Sequence, residues 1–242
     1  MTRILVINTG GTISMSEDKS TGKVKPNEKN PIGNAKLMKD KWEVHYDELM
    51  NIPSPHIAER EMLGIKNRID KAVTEGFNGV VVTHGTDTLE ETAYYLDLTA
   101  TTKIPVVITG AQKPIDMDVT DAKTNLYDSI LFASSQKAYG INIVFDGKVI
   151  CGTRARKERS KSYNAFSSIN FPYLAVIQDH RIFFYIDDKK HNNENIVFYD
   201  KLNTRIGLLK LIPSMDAQLL KFMALNYDAI IIESFGVGGL PS

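Results

Sequence analysis

Five short runs of apolar residues place the strongest constraint on the fold of this chain. The runs are residues 3–9 (RILVINT), 79–84 (GVVVTH), 104–109 (IPVVIT), 141–145 (INIVF) and 227–234 (YDAIIIES). Within each run, apolar residues follow one another instead of alternating with polar ones, which is typical of parallel strands buried on both faces. Such a sheet has to be covered on both sides, so we expect helices between these strands.

Helical patterns do occupy the segments between the runs. Apolar residues recur at helical spacing in residues 59–75, 89–98 and 120–137. Because strand and helix alternate, we predict an α/β fold with a mostly parallel sheet and helices on both faces. A further apolar run at residues 206–213 and a helix over about residues 215–225 predict the start of a second, smaller α/β unit.

Two polar segments interrupt this order. Residues 14–34 follow the first strand and predict a long mobile loop, of the kind that forms lids or binding loops. Residues 186–205 predict a linker or a hairpin turn. We therefore predict an N-terminal domain over residues 1–186, a linker over 187–204, and the first part of a C-terminal domain over 205–242.

Composition excludes several classes of protein. Lys+Arg and Asp+Glu number 29 each, so nothing argues for nucleic acid or an acidic membrane as a partner. The single cysteine, Cys151, allows neither an intrachain disulfide nor a zinc cluster, and we expect it to serve in packing. With no run of membrane length and no signal peptide in the sequence, we predict a cytoplasmic protein.

Four motifs lie at predicted strand ends, where ligands bind in open α/β sheets. They are NTGGTIS (8–14), THGTDT (83–88), TGAQKP (109–114) and SFGVGG (234–239). Each motif alone is weak, but together they predict a functional site. His84 lies in the second motif, where we expect a hydrogen-bonded structural residue rather than a base.

The first motif has two interpretations. Its glycines allow a sharp turn, so that the hydroxyl of Thr12 lies beside exposed backbone N–H groups that can stabilise an oxyanion. Alternatively, Thr12 only caps a turn at the end of a strand. The longer glycine spacing and the lysine of a phosphate-binding loop are absent.

The second motif also has two interpretations. Thr86 or Asp87 can cap the following helix, with Glu90 or Glu91 completing a capping box. Alternatively, an ionised Asp87 at the helix N-terminus binds the ammonium of an amino acid or holds a lysine near a hydroxyl. The basic segment 153–161 (TRARKERSK) is either a solvated surface or the source of that lysine.

Together these motifs resemble the bacterial-type L-asparaginase family, which includes glutaminase-asparaginases. TGGTI at residues 9–13 paired with HGTDT at 84–88 carries the resemblance, and NIPSPH, TGAQ and GTRARK fall in family order. The resemblance runs from Arg3 to the last residue. It implies that a threonine hydroxyl attacks the side-chain amide of asparagine, that ammonia leaves, and that water hydrolyses the covalent β-aspartyl enzyme.

The resemblance also implies roles for particular residues. Thr12 is the nucleophile, while Thr86, Asp87 and Lys157 form a second catalytic set in which neutral Lys157 deprotonates or polarises Thr86. Ser54 and Asp87 hold the α-carboxylate and α-ammonium of the substrate. The implied substrate-binding residues are Gly11, Ser54, Pro55, Thr86, Asp87 and Ala111.

The family further implies an enzyme without cofactor or metal, whose partner is the small substrate L-asparagine and which forms a homodimer or homotetramer. No nucleic acid or membrane partner is implied. Residues 14–34 correspond to a lid that closes over the site. The lid tyrosine of the family is missing from this segment; Lys23 stands about where it would be, and Tyr46 is too far along the chain.

The family's C-terminal domain is longer than the part present here, so we expect weak activity or none from this chain and more from a longer version. Two alternatives stay open at the level of sequence. The chain can be a relative acting on glutamine or on a glutamyl-tRNA-linked amide, although neutral charge and the lack of an RNA-binding segment count against tRNA. It can also be a non-catalytic module that binds an amino acid.

Overall fold

The computed structural model of the chain describes residues 1–18, 20–21, 24–26, 32, 41–100, 102–186, 203 and 205–240. The chain divides into two compact units, Met1–Phe198 and Tyr199–Ser242, which are described separately below. The domain boundaries expected at residues 186 and 205 stay predictions. None of the helices in the described ranges is long and apolar enough to cross a bilayer.

The first unit contains twelve strands and three helices among its described residues. The strands are β1 (Thr2–Asn8), β2 (Met15–Glu17), β3 (Val24–Pro26), β4 (Trp42–Glu48), β5 (Gly79–Thr83), β6 (Val106–Thr109), β7 (Ile141–Phe145), β8 (Lys148–Cys151), β9 (Ala155–Lys157), β10 (Phe166–Ser168), β11 (Ala175–Gln178) and β12 (Arg181–Phe184). The helices are α1 (Glu59–Thr74), α2 (Leu89–Thr99) and α3 (Ala122–Ala133).

Eight of these strands form one sheet in the order β12-β11-β8-β7-β6-β5-β1-β4. The strands from β4 to β7 are parallel, with Leu5 opposite His45 on one side of β1 and Val80 on the other. Every residue of β5, β6 and β7 is buried. The prediction of a mostly parallel α/β sheet is therefore confirmed.

Helices cover both faces of this sheet. Val6 and Val81 belong to one buried cluster with Leu126 and Ile130 of α3. The neighbouring strand residues Leu5, Ile7, Val80 and Val82 belong to a second cluster, with residues of α1 and α2. Successive residues of a strand point to opposite faces, so a run that is apolar throughout supplies two cores at once.

The sequence patterns missed four strands of the large sheet. β4 alternates charged and apolar residues at one edge, and β8, β11 and β12 extend the other edge in antiparallel pairing. All four contain residues that are partly or fully exposed, so their patterns are less distinct than those of the central strands. The helix expected over residues 120–137 is also shorter, and spans Ala122–Ala133.

The segment 14–34 is not a loop throughout. β2 and β3 pair as an antiparallel hairpin, with Met15 opposite Pro26 and Glu17 opposite Val24. A polar hairpin of three-residue strands carries no hydrophobic pattern by which the sequence could reveal it. Lys23, which stands near the position of the family's tyrosine, lies outside the described residues.

The second unit is a strand–helix–strand motif, as predicted. The expectation that the run 227–234 is buried on both faces is wrong, because most residues of its strand are exposed. β13 (Ile206–Lys210) and β14 (Ala229–Glu233) are parallel, and α4 (Ala217–Asn226) connects them. Asp216 caps α4 by accepting a hydrogen bond from the backbone N–H of Gln218 at 2.8 Å. The buried core of the second unit consists of Leu209, Leu211 and Met223.

Candidate active site

The order of the parallel strands creates a crevice between β1 and β5. From β1 the chain proceeds to β4 on one side, and it returns through α1 to β5 on the other side of β1. Ligands bind outside the carboxyl ends of strands at such a switch point. The first two motifs, which follow β1 and β5 directly, lie at this point.

Backbone-to-backbone contact joins the two motifs. Gly11 has a φ of 81°, and a Cβ at this residue would lie 2.4 Å from the Cα of Gly85. A Cβ at Gly85 would in turn lie 2.7 Å from the Oγ of Ser54. Thr12 follows Gly11 and begins a short 3-10 turn. The structure thus brings the segments of Thr12, Thr86 and Ser54 together.

Lys157 contacts two of the predicted catalytic residues directly. Its ammonium donates hydrogen bonds to the Oγ1 of Thr86 at 2.8 Å and to the Oδ1 of Asp87 at 2.6 Å. The Lys157 side chain is 14% exposed, whereas that of Asp87 is 67% exposed. The Asp87 carboxylate therefore remains accessible to a second cation while it pairs with Lys157.

The prediction that Thr86 or Asp87 caps α2 is wrong. The N-cap of α2 is Thr88, and no side chain forms a capping hydrogen bond there. Thr86 and Asp87 are bonded to the Lys157 side chain, and the Glu90 carboxylate accepts a hydrogen bond from the Lys157 backbone N–H. Because Thr86 and Asp87 precede the N-cap residue, their side chains are available for these charge-assisted bonds to Lys157.

Ser54 lies in a short 3-10 turn, Ser54–His56, that ends the connection from β4. Ser54 is buried, while Pro55 is exposed. The hydroxyl of Thr88 donates a hydrogen bond to the Ser54 carbonyl at 2.7 Å. This bond joins the predicted substrate-binding segment to the second motif. Sequence reasoning missed this contact of Thr88.

The loop that contains Ala111 is fixed by α3. The Asp121 carboxylate accepts a hydrogen bond from the backbone N–H of Gln112 at 2.8 Å, and the Asn125 amide donates to the Gly110 carbonyl at 3.0 Å. Burial raises the pKa of Asp121, and the bonded N–H groups oppose this increase. Sequence reasoning missed Asp121 and Asn125, because both fell inside a helical pattern.

Threonine hydroxyls join the ends of the strands beneath the site. Thr9 donates to the Thr83 carbonyl at 2.8 Å, and Thr83 donates to the Asn8 side chain at 2.8 Å. Thr109 donates to the Val144 carbonyl at 2.7 Å. These bonds bridge adjacent strands where the ladder ends, and they give the motifs a rigid base.

His84 is a structural residue, as predicted. Its ring is fully buried, with Nδ1 2.7 Å from the Gly85 carbonyl and Nε2 2.9 Å from the Thr92 hydroxyl. A carbonyl only accepts, so Nδ1 carries the proton and Nε2 accepts from Thr92. Burial lowers the pKa of His84 to about 4, which keeps the ring neutral near pH 7.

The basic segment combines both of its predicted interpretations. Arg154 and Arg156 are exposed, whereas Lys157 enters the site.

Cys151 is buried, consistent with the predicted packing role. Tyr46 lies within β4 opposite Val6. Among the described residues, no three or more His, Cys, Asp or Glu side chains are grouped so as to hold a metal ion.

Comparison with known proteins identifies the family of this chain. The model of the N-terminal asparaginase domain matches residues 3–190. The chain belongs to the asparaginase family. It is 31% identical over 242 residues to an L-asparaginase from Thermococcus kodakarensis, with 99% of this chain and 73% of the relative covered.

Two further matches show that proteins similar to this chain carry different functional names. The chain is 35% identical to a glutamyl-tRNA(Gln) amidotransferase component from Pyrococcus furiosus, covering 99% of this chain but only 57% of the relative. It matches the crystal structure of a probable cytoplasmic L-asparaginase from Campylobacter jejuni with a TM-score of 0.88 and 27% identity, over 99% of this chain and 77% of the other. These matches confirm the family resemblance and the fold, and they support an amidohydrolase activity.

Proposed function

We propose that this chain hydrolyses the side-chain amide of L-asparagine to L-aspartate and ammonia through an ester on Thr12. The observation that carries the proposal is the contact of the Lys157 amine with both Thr86 and Asp87 at the carboxyl end of β5. The turn that carries Thr12 touches the same segment through Gly11 and Gly85.

In the first step, the Thr12 hydroxyl attacks the amide carbon, and its proton passes to the leaving nitrogen. The carbon–nitrogen bond breaks, ammonia departs, and the β-aspartyl ester of Thr12 remains. Exposed backbone N–H groups at the glycine-rich turns would stabilise the oxyanion of the tetrahedral intermediate.

In the second step, water attacks the ester carbonyl, and aspartate leaves with regeneration of the Thr12 hydroxyl. Lys157 in its neutral form would accept a proton from Thr86, whose oxygen would in turn accept one from the water, and a proton would return to the Thr12 oxygen as the ester C–O bond breaks. Asp87 holds the lysine at the hydroxyl while its exposed carboxylate faces solvent.

Substrate recognition follows from the same segments. Asp87 would bind the α-ammonium with its exposed carboxylate, and Ser54 would bind the α-carboxylate. Gly11, Pro55 and Ala111 would line the pocket, together with the Thr86 backbone. One methylene separates asparagine from glutamine, and it is worth about 1–3 kcal/mol in a pocket of this kind.

A second candidate is the supply of ammonia from an amide within an amidotransferase. The 35% identity to the amidotransferase component of Pyrococcus furiosus favours it. The chain covers more of the Thermococcus asparaginase than of this component, 73% against 57%. Neutral net charge also fits a small free substrate better than tRNA.

The proposal includes a cytoplasmic location, a homo-oligomer and catalysis without a cofactor. A single buried cysteine suits a reducing compartment, and the Campylobacter relative is named as a probable cytoplasmic enzyme. The catalytic domain would span residues 1–186, with 205–242 belonging to a separate C-terminal domain.

The experiment is ammonia release from the purified chain with L-asparagine and, separately, with L-glutamine, compared with Thr12→Ala. We expect weak release from asparagine, which Thr12→Ala abolishes while the variant still binds L-aspartate in calorimetry. Release from glutamine alone would favour the second candidate. Aspartate binding without any release would indicate a non-catalytic binding module.

A further inference from the structure

We propose that the first turn of α2 positions both halves of the proposed site, with Thr88 holding the Ser54 segment and Glu90 holding Lys157. The proposal rests on the proposed function and assigns residues to it that the family resemblance did not supply. Thr88 and Glu90 belong to one turn, and each is bonded to a different segment of the site.

The position of the Ser54 segment depends on a hydrogen bond from outside the segment. It connects β4 to α1, and the Ile52 backbone N–H bonds to the Thr9 carbonyl at 3.1 Å. Beyond that point, the Ser54 carbonyl accepts one bond from the N–H of Ile57 at 2.9 Å, within its own turn, and one from Thr88 at 2.7 Å. The Thr88 bond therefore fixes the turn against the rest of the site.

The position of Lys157 likewise depends on hydrogen bonds from outside its own strand. β9 pairs with β10 in a separate two-stranded sheet, so the register of the large sheet does not set the position of Lys157. The Glu90 carboxylate binds its backbone N–H, while Thr86 and Asp87 bind its ammonium. Both ends of the lysine are thus held by one short stretch of chain, residues 86–90.

The two contacts serve different steps, which gives them different kinetic signatures. Ser54 would contact the non-reacting α-carboxylate, so its displacement should weaken binding and raise KM. Lys157 would act on the reacting groups, so its displacement should lower kcat. A purely structural role would instead reduce the amount of folded protein, and would leave the kcat and KM of the folded fraction unchanged.

The Thr88 arm of the test compares Thr88→Val, which removes the hydroxyl, with Thr88→Ser, which keeps it. We expect Thr88→Val to raise KM and the Kd for L-aspartate up to about tenfold at unchanged kcat, as loss of one hydrogen bond predicts. Thr88→Ser should behave as wild type. The matched control is Thr99→Val at the other end of α2, where the hydroxyl donates to the Tyr95 carbonyl at 2.7 Å.

The Glu90 arm compares Glu90→Ala with Glu90→Gln, whose carbonyl oxygen can still accept the Lys157 N–H. We expect Glu90→Ala to lower kcat by roughly 10- to 100-fold at unchanged KM, and Glu90→Gln to restore most of it. Asp216→Asn is the control, because the Asp216 carboxylate also accepts a backbone N–H but belongs to the second unit.

Three results would overturn the proposal. The first is a Thr88→Val variant with unaltered KM and Kd, and the second is a Glu90→Ala variant with unaltered kcat. The third is a Glu90→Gln variant as impaired as Glu90→Ala, which would show that the charge of Glu90, and not its hydrogen bond, causes the effect. If the wild type releases no ammonia from any amide, the proposed function fails, and crystal structures of Thr88→Val and Glu90→Ala decide this inference. An unmoved Ser54 turn and an unmoved Lys157 amine would then contradict it.

Discussion

At the residue scale, Lys157 is the clearest case of a side chain whose surroundings indicate chemistry. Its ammonium is mostly buried, and it is bonded to a hydroxyl and a carboxylate that follow the same strand. We expect Lys157→Met to lower kcat by about 10²–10⁴-fold, the usual contribution of an acid–base group, with the fold retained. Ammonia release and thermal unfolding are the measurements.

The control for this change is Lys66→Met, which removes a lysine bonded to Asp70 on α1 at 2.9 Å. This variant should keep wild-type kcat. A Lys157→Met enzyme with undiminished kcat would remove Lys157 from the acid–base role.

Asp128 gives a prediction on stability that is independent of catalysis. Burial on α3 raises its pKa from 3.8 to about 7. Between these values the folded state holds a proton that the unfolded state has lost, so the contribution of Asp128 to stability falls as pH rises. Asp128→Asn should raise the free energy of unfolding at pH 8 by roughly 2–4 kcal/mol and change it little at pH 3.5.

Chemical denaturation of both proteins at the two pH values measures this difference. An equal effect at pH 3.5 and pH 8 would show that Asp128 does not titrate as inferred.

His84 has the opposite pH dependence. Its pKa is lowered to about 4, so its contribution to the free energy of unfolding rises with pH between about 4 and 6.5. The Asp128→Asn variant should therefore gain stability more steeply with pH in this window than wild type.

Sequence reasoning at this scale gave Asp87 a possible binding role from the residues alone, but it assigned catalytic roles to Thr86 and Lys157 only through the family resemblance. Lys157 is 70 residues beyond Asp87, and spacing alone left a solvated surface and an active-site lysine both open. Thr88, Asp121 and Asn125 were missed because their roles depend on contacts with segments distant in sequence. A threonine or asparagine in a helical pattern carries no local signal of such a contact.

At the element scale, the site depends on how closely the turns after β1 and β5 approach. A Cβ on Gly11 would lie 2.4 Å from backbone atoms of Gly85, and its φ of 81° disfavours any side chain. We expect Gly11→Ala to destabilise the fold by roughly 2–4 kcal/mol and to abolish turnover.

Gly64→Ala is the matched comparison. Gly64 lies within α1, and nothing lies within 4 Å of the position of its Cβ. This substitution should stabilise the protein by about 0.5–1 kcal/mol, with full activity. Thermal unfolding and ammonia release on both variants test the pair; equal effects on stability would contradict the close approach.

Strands could be predicted from the sequence where both of their faces are buried. The strands β1, β5, β6 and β7 are largely apolar because both of their faces are covered, and their sequences show this pattern directly. β4 and β12 have partly exposed residues, and the β2–β3 hairpin pairs strands of only three residues each. Such strands are defined by their neighbours, which a local pattern does not contain.

At the scale of the whole molecule, the two units differ greatly in core size. The first unit has two extensive buried clusters, whereas the core of the second consists of Leu209, Leu211 and Met223. A small unit that buries so few apolar side chains is marginally stable. We expect the hydrogen-bonded amides of β13 and β14 to exchange with opening free energies at least ~2 kcal/mol below those of β5.

Native-state hydrogen exchange, resolved by residue, measures this difference. Equal protection in β5 and β14 would show that the second unit opens only with global unfolding.

The proposed mechanism depends above all on Thr12, and not Thr86, forming the covalent intermediate. The most direct test is rapid acid quenching of the protein with L-asparagine, followed by peptide mapping in a mass spectrometer. We predict a β-aspartyl ester on the peptide containing Thr12, and its loss in Thr12→Ala. An ester on Thr86, or ammonia release that persists in Thr12→Ala, would contradict the mechanism.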